Sequence, residues 1–284
     1  MRRFYFLILT GIQILFIANA QDLQTPAPSP LGTLTQIVGV TEVSVSYSRP
    51  GIKERDIFGS LVPFGELWRT GANRSTTIKF SDDVRVEGLE VPKGEYALFT
   101  IPGKNEWTII FSKDIGSGTS DYKQEDDVAR FTTVPVKLDK PVERFTIEIA
   151  DITDNSARIN LRWAKTEVTF SFTVDTDSKV MAQIDQLMKK PDLKNANIFF
   201  QASYYYFNND KDIKKALQWA KKAAELQPDG YWILRLQSQI QAKTGDYKEA
   251  IKTAELSMNA AKKAGNDQYV RYNTESIAEW KSKL

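Results

Sequence analysis

Between Leu31 and about Asp175, apolar and polar residues alternate. Val43, Val45 and Tyr47 are interleaved with Ser44, Ser46 and Ser48, and Phe145, Ile147 and Ile149 with polar neighbours. Ile159, Leu161 and Trp163 repeat the pattern, followed by Val168, Phe170, Phe172 and Val174. A period of two puts such residues on one face of a strand. "EYALFTIP" and "EWTIIFS" are apolar at consecutive positions, which predicts central strands covered on both faces. "PGKNE" (102–106) reads as the hairpin between them and "VPKGE" (91–95) as a turn. Many short strands separated by turn signals predict a mainly antiparallel β-sandwich over residues 31–176.

After Asp175 the period becomes helical. Ser178 is placed to cap "KVMAQIDQLMKK" and Pro191 to stop it. "DIKKALQWAKKA" (212–223) and "DYKEAIKTAELS" (246–257) then align at an offset of 34 residues, pairing Ala216 with Ala250, Leu217 with Ile251 and Ala220 with Ala254. That offset is the length of a tetratricopeptide helical hairpin. The segment resembles that family in Ala216, Ala223 and Pro228 of one unit and in Gly245, Tyr247 and Ala250 of the next. The family's small residue in the first helix is met by Ser238 and broken by Tyr204, and Lys262 stands where its proline would be. With a last helix over 267–283 as a cap, residues 177–284 are expected to form an all-α, tetratricopeptide-like array. Fewer than three repeats rarely stand alone, so the array is expected to lean on the sandwich.

Between two strand signals lies "SRPGIKERDIFGSLVPFGELWRTGAN" (48–73), with four glycines, two prolines, three arginines, a tryptophan and no period of either kind. Irregular connections longer than about 12–15 residues are uncommon in compact domains unless they are functional. Its turn residues predict a folded lobe, pinned to the sandwich by the apolar residues of "DIFGSLVPF". Arg49, Lys53, Arg55, Trp68, Arg69 and Asn73 are left to face outward. Guanidinium forks suit carboxylate or phosphate, and an indole face suits a sugar or a cation. The competing structural reading has the arginines bonded to nearby carbonyls, or to Glu66 or Asp56, and the tryptophan in the core. The candidate ligand-binding residues are therefore Arg49, Arg55, Trp68, Arg69 and Asn73.

This stretch, with "VPKGEYALFTIPGKNEWTIIFSKD" after it, closely resembles a family of exported bacterial proteins catalogued as domain of unknown function 2911, over about residues 30–175. The chain departs from the family pattern at Glu54, where a glycine is common, and at Arg74, where an acid is. The resemblance implies a secreted β domain and supplies no activity.

The first residues agree with export. "MRRFYFLILTGIQILFIANA" has a basic start, an apolar run and an Ala18-Asn19-Ala20 end, the layout of a signal peptide cleaved after Ala20. Gly11 and Gln13 interrupt the run, which is short for a membrane span. No integral span is expected after processing, and with no cysteine to acylate no lipid anchor is either. "QDLQTPAPSP" (21–30) reads as an extended, mobile spacer.

Taking the two leader arginines from 38 bases leaves 36, against 36 acids. This neutrality gives no support to a nucleic-acid partner. It hides an asymmetry, because residues 21–177 hold 18 bases and 24 acids and residues 178–284 hold 18 and 12. The parts thus carry −6 and +6, and an intramolecular docking of the acidic β domain on the basic helical domain is expected.

The chain has no cysteine and no histidine. Disulfide frames, Ser-His-Asp triads, Cys-His pairs and ordinary zinc sites fall together. The acidic run "SKDIGSGTSDYKQEDDVAR" (112–130) lacks the EF-hand spacing and reads as a solvated loop, so no metal and no cofactor is implied. The first reading is an exported cell-envelope module that binds a ligand, an envelope protein or a glycan. The alternative is a histidine-free, carboxylate-dependent glycan hydrolase, since a carboxyl pair needs no imidazole. A purely structural pair of domains, with a helical groove for a partner protein, is the third.

Overall fold

The computed structural model describes residues 25–116, 118–190 and 192–284. The expected leader, its cleavage site and Pro191 lie outside them. Contacts divide the chain into two compact units, one ending at Thr176 and the other Asp177–Leu284.

Among the described residues the first unit holds ten strands in two antiparallel sheets. The larger has the order β1 (Leu31–Val38), β2 (Thr41–Ser48), β3 (Thr76–Phe80), β6 (Gly94–Ile101), β7 (Trp107–Ser112), β8 (Asp127–Thr133). The smaller has the order β5 (Leu89–Val91), β4 (Val84–Val86), β10 (Ser156–Val174), β9 (Val136–Ala150). One hydrophobic core takes Val43, Ile78, Leu98 and Phe111 from the first sheet and Phe145, Ile159 and Phe172 from the second, so the expected sandwich is present. A buried phenol bridges the layers: Tyr47 Oη donates to the Ile147 carbonyl at 3.2 Å and accepts from its amide at 3.0 Å. The doubly apolar strands β6 and β7 have a second cluster on their other face, Ala97, Phe99 and Ile110 under Leu67 and Tyr122.

Ile159, Leu161 and Trp163 are odd-numbered, whereas Val168, Phe170, Phe172 and Val174 are even-numbered, yet all seven are buried. A continuous strand keeps both sets inward only by gaining a residue between them. β10 does this near Ala164, which has φ 50°, with register shifts against β9 on either side. A bulge of this kind bends the strand and re-aims its side chains.

α1 spans Thr176–Met188, its first residue being the last of the first unit and the rest opening the second. The helix begins two residues before the expected Ser178 cap, and the Thr176 hydroxyl donates to the Asp154 carbonyl. α2 (Ala196–Asn208) and α3 (Ile213–Leu226) form one hairpin, α4 (Tyr231–Lys243) and α5 (Tyr247–Lys263) a second, and α6 (Asp267–Lys281) follows. Asp212 and Asp246 accept from backbone amides at the starts of α3 and α5, keeping the 34-residue offset. The helices before them do not keep it. α2 begins after Asn195 and α4 after Gly230, because the α2–α3 connection (209–212) is one residue longer than the α4–α5 connection (244–246). The small position of α2 is therefore Ser203, not Tyr204. Ser203 is fully buried and its hydroxyl donates to the Ala216 carbonyl at 2.8 Å, while Tyr204 is exposed. Ala216, Ala220, Ala250 and Ala254 are all fully buried at the matched helix contacts.

Candidate functional site

The chain leaves β2 at Ser48 and changes sheet. Gly51 pairs with Arg144 of β9, and the Ile52 amide donates to the Glu143 carbonyl at 2.8 Å. Lys53 and Glu54, at φ 46° and 61°, are the centre of a tight turn closed by the Arg55 amide on the Ile52 carbonyl at 3.1 Å. Two left-handed residues in succession explain why glycine suits the position of Glu54. Ile57 and Val62 are buried and Phe58 packs on the core, so "DIFGSLVPF" does pin the lobe. Trp68 then returns the chain to the larger sheet. Its amide donates to the Thr100 carbonyl at 2.7 Å and its carbonyl accepts from the Thr100 amide at 2.9 Å, beyond the end of β3.

Trp68 does not face outward. It is 8% exposed, stacked on Trp163 with ring centroids 5.8 Å apart and edge-on to Phe145 at 5.2 Å. Its indole N–H donates to the Gly71 carbonyl at 3.0 Å. An amphipathic ring with its N–H satisfied is more stable inside than as an exposed platform. Arg49 is also turned inward: its Nε donates to the Phe145 carbonyl at 3.3 Å and its Nη2 to Thr146 Oγ1 at 3.0 Å. Asn73 donates from Nδ2 to the Ser29 carbonyl at 3.3 Å and to Ser48 Oγ at 3.4 Å. Carbonyls of the proline-rich segment serve the lobe as well, with Pro30 accepting from the Arg49 amide at 2.9 Å and Pro28 from Arg144 Nη1 at 3.4 Å. Residues 28–30 at the end of the expected spacer are therefore hydrogen-bonded to the lobe and to β9, while residues 21–24 lie outside the described residues.

Three of the five candidates come together. Arg55, Trp68 and Arg69 line a cavity of about 370 Å³, walled largely by the 48–73 lobe and joined by Glu66, Leu67 and Trp163. Arg55 donates from Nε to the Ile52 carbonyl at 3.0 Å and from Nη2 to the Gly51 carbonyl at 2.7 Å. Arg69 donates from Nη1 to the Asn73 carbonyl at 2.6 Å. Both are thus held by backbone carbonyls and not by Glu66 or Asp56, with further N–H groups left over. Trp163 was not a candidate from sequence, where it reads only as a buried strand residue. In the structure it is 2% exposed and its Nε1 has no hydrogen-bond partner among the described residues. An unsatisfied buried donor costs about 1–3 kcal/mol and calls for a cause. The parity change just after it, between Trp163 and Val168, was the available signal.

Residues 29–172 match the family described as protein of unknown function DUF2911. The chain belongs to this family. The matched segment contains both sheets almost entirely, the 48–73 lobe and every residue named in the cavity, and it stops before the helical unit. No curated protein matches the chain.

The acidic run is not wholly solvated. The Asp127 carboxylate is almost buried, accepting from Tyr122 Oη at 2.9 and 2.8 Å and from Arg130 Nε at 2.9 Å. Tyr122 lays its ring edge-on against Phe99 at 5.5 Å, so this trio fastens the loop to the outer face of β6. Burial, then the hydrogen bond to Asp127, pushes the Tyr122 phenol up to about 12 from 10.0. A phenol with a raised folded-state pKa stays protonated where the unfolded chain already ionises. Its contribution is complete below about pH 10 and is lost as pH rises toward about 12. Alkaline unfolding should therefore be steeper for the wild type than for Tyr122→Phe between those limits. Equal slopes in a denaturant series would place the phenol in solvent.

Proposed function

We propose that this protein is an exported cell-envelope binding module that holds a small ligand in the cavity beneath the 48–73 lobe. The observation that carries the reading is that a long irregular connection, instead of being trimmed, walls a cavity whose lining includes two arginines, Arg55 and Arg69. At about 370 Å³ the cavity lies within the usual range for small-molecule pockets, about 300–1,000 Å³. Among the described residues lining it, Glu66 is the one carboxylate, whereas a glycosidase of the usual kind needs two flanking the bond. This favours binding over the hydrolase. The signal-like first 20 residues supply the expectation of export.

Native mass spectrometry of the protein recovered from its own cells tests both parts. The expected result is a chain beginning at Gln21 that carries a small molecule, with the molecule missing from Ala72→Trp, whose indole would cross the cavity. An intact Met1 would remove export. The same cargo on wild type and Ala72→Trp would remove the cavity.

A further inference from the structure

We infer that the ligand of this cavity is a small organic monocarboxylate with an apolar body, its carboxylate taken by Arg55, Arg69 and the indole N–H of Trp163. The inference rests on the binding reading above and names the chemistry of its ligand.

The donor set comes first. An indole N–H can only donate, and buried donors in folded proteins are almost always paired. That of Trp163 is without an acceptor among the described residues; the same residue lines the cavity, but its N–H is itself covered, so an acceptor reaches it only by displacing the atoms that cover it. The side chain cannot turn away, because its ring is stacked on Trp68 and sits edge-on to Phe145 at 6.0 Å. A ligand bringing an acceptor satisfies a group that the fold leaves unsatisfied. Arg55 and Arg69 hold their guanidinium groups in place through backbone carbonyls, which pre-orients the remaining N–H groups at little entropic cost. Carbonyl acceptors also leave both guanidinium groups without an ion-pair partner among the described residues.

The charge balance then chooses among anions. Two guanidinium groups and the Glu66 carboxylate give the lining a net charge of one positive unit. A monoanion neutralises it, whereas a phosphate monoester, carrying about −1.5 to −2 at neutral pH, over-fills it and faces Glu66. A further feature specifies the rest of the ligand. Leu61, Val62, Pro63, Leu67 and Trp68 supply apolar wall. A carboxylate attached to a ring or a short hydrocarbon matches both surfaces.

Isothermal titration of the whole protein with benzoate, benzamide and phenyl phosphate is the test, read beside the indole N–H resonances in nitrogen-resolved NMR. Benzoate should bind saturably, and benzamide and phenyl phosphate weaker by at least about tenfold, the scale of one charge-assisted hydrogen bond. Benzoate should move the Trp163 indole resonance, assigned by its loss in Trp163→Phe. Trp163→Phe and the Arg55→Gln/Arg69→Gln pair should each weaken benzoate by about tenfold or more. Phenyl phosphate or benzamide binding as well as benzoate would overturn the carboxylate. An unmoved Trp163 resonance, or undiminished benzoate affinity in Trp163→Phe, would mean that the N–H is satisfied within the core, for instance by the Phe58 ring edge-on to it at 6.1 Å, and would also overturn the inference. If Trp163→Phe fails to fold, the resonance shift in the wild type and the arginine pair still decide. Absence of any benzoate response overturns the inference even where a cargo is retained from the envelope. Identical cargo on Ala72→Trp strikes the binding reading instead.

Discussion

Trp68→Ala is expected to destabilise the β unit by about 3–5 kcal/mol, the cost of removing a large aromatic from a packed core. The ring is surrounded: Phe58 at 5.9 Å, Trp107 at 6.3 Å, Phe145 at 5.2 Å and Trp163 at 5.8 Å all lose a partner. The Gly71 carbonyl loses its donor as well. Collapse to refill the space is restrained, because Trp68 is fixed to Thr100 by two backbone hydrogen bonds and cannot draw the lobe inward without breaking the sheet. Arg69→Ala should cost far less, about 1 kcal/mol, since it removes one hydrogen bond from a half-buried side chain to a carbonyl of its own loop. Thermal unfolding of the two variants beside the wild type gives the order directly. A Trp68→Ala protein within about 1 kcal/mol of the wild type would mean that the lobe is laid on the sandwich and not built into it.

The sheets were legible because alternation reports one physical fact, which face of a strand is dry. Val43, Val45 and Tyr47 needed no knowledge of their partners to be placed inward, and the consecutive apolar residues of β6 and β7 announced a second covering that Leu67 and Tyr122 provide. The bulge at Ala164 was implied by the same numbers, since odd and even residues on one strand cannot share a face without an inserted residue. The lobe was harder for a different reason. Its side chains are held by main-chain groups: Arg49 by Phe145, Arg55 by Gly51 and Ile52, Arg69 and the Trp68 indole by Asn73 and Gly71. Every residue offers a carbonyl, so the sequence carries no mark of which one will be used. An outward arginine and an inward one look alike until the fold brings the carbonyl. Tyr204 failed for a simpler reason. Aligning on the strongest matches fixes α3 and α5 but cannot see that one connecting loop is a residue longer.

In the helical unit the largest effect is expected at Asn273. This side chain is fully buried in α6, and its amide joins three helices. Nδ2 donates to Ser257 Oγ of α5 at 2.9 Å and to the Tyr269 carbonyl at 2.9 Å, while Oδ1 accepts from Arg235 Nη1 of α4 at 3.3 Å. Ser257 passes the link on, donating to the Tyr231 carbonyl at 2.6 Å. Arg235 is the group at risk. Burial already lowers its pKa, which marks a guanidinium poorly supplied with water, and its other supports include the Tyr272 ring at 5.0 Å, Ser276 Oγ at 3.5 Å and the nearby Glu275 charge. Asn273→Leu removes its best acceptor and leaves a partly buried charge short of partners, for an expected loss of about 2–4 kcal/mol. Arg235→Met/Asn273→Leu should recover much of that loss, because replacing both members of a buried polar pair by apolar groups of similar size is often nearly neutral. Unfolding followed by helical circular dichroism, run as a double-mutant cycle, measures the coupling. Additive losses would show that Arg235 is served by solvent, and that Asn273 is holding α5 alone.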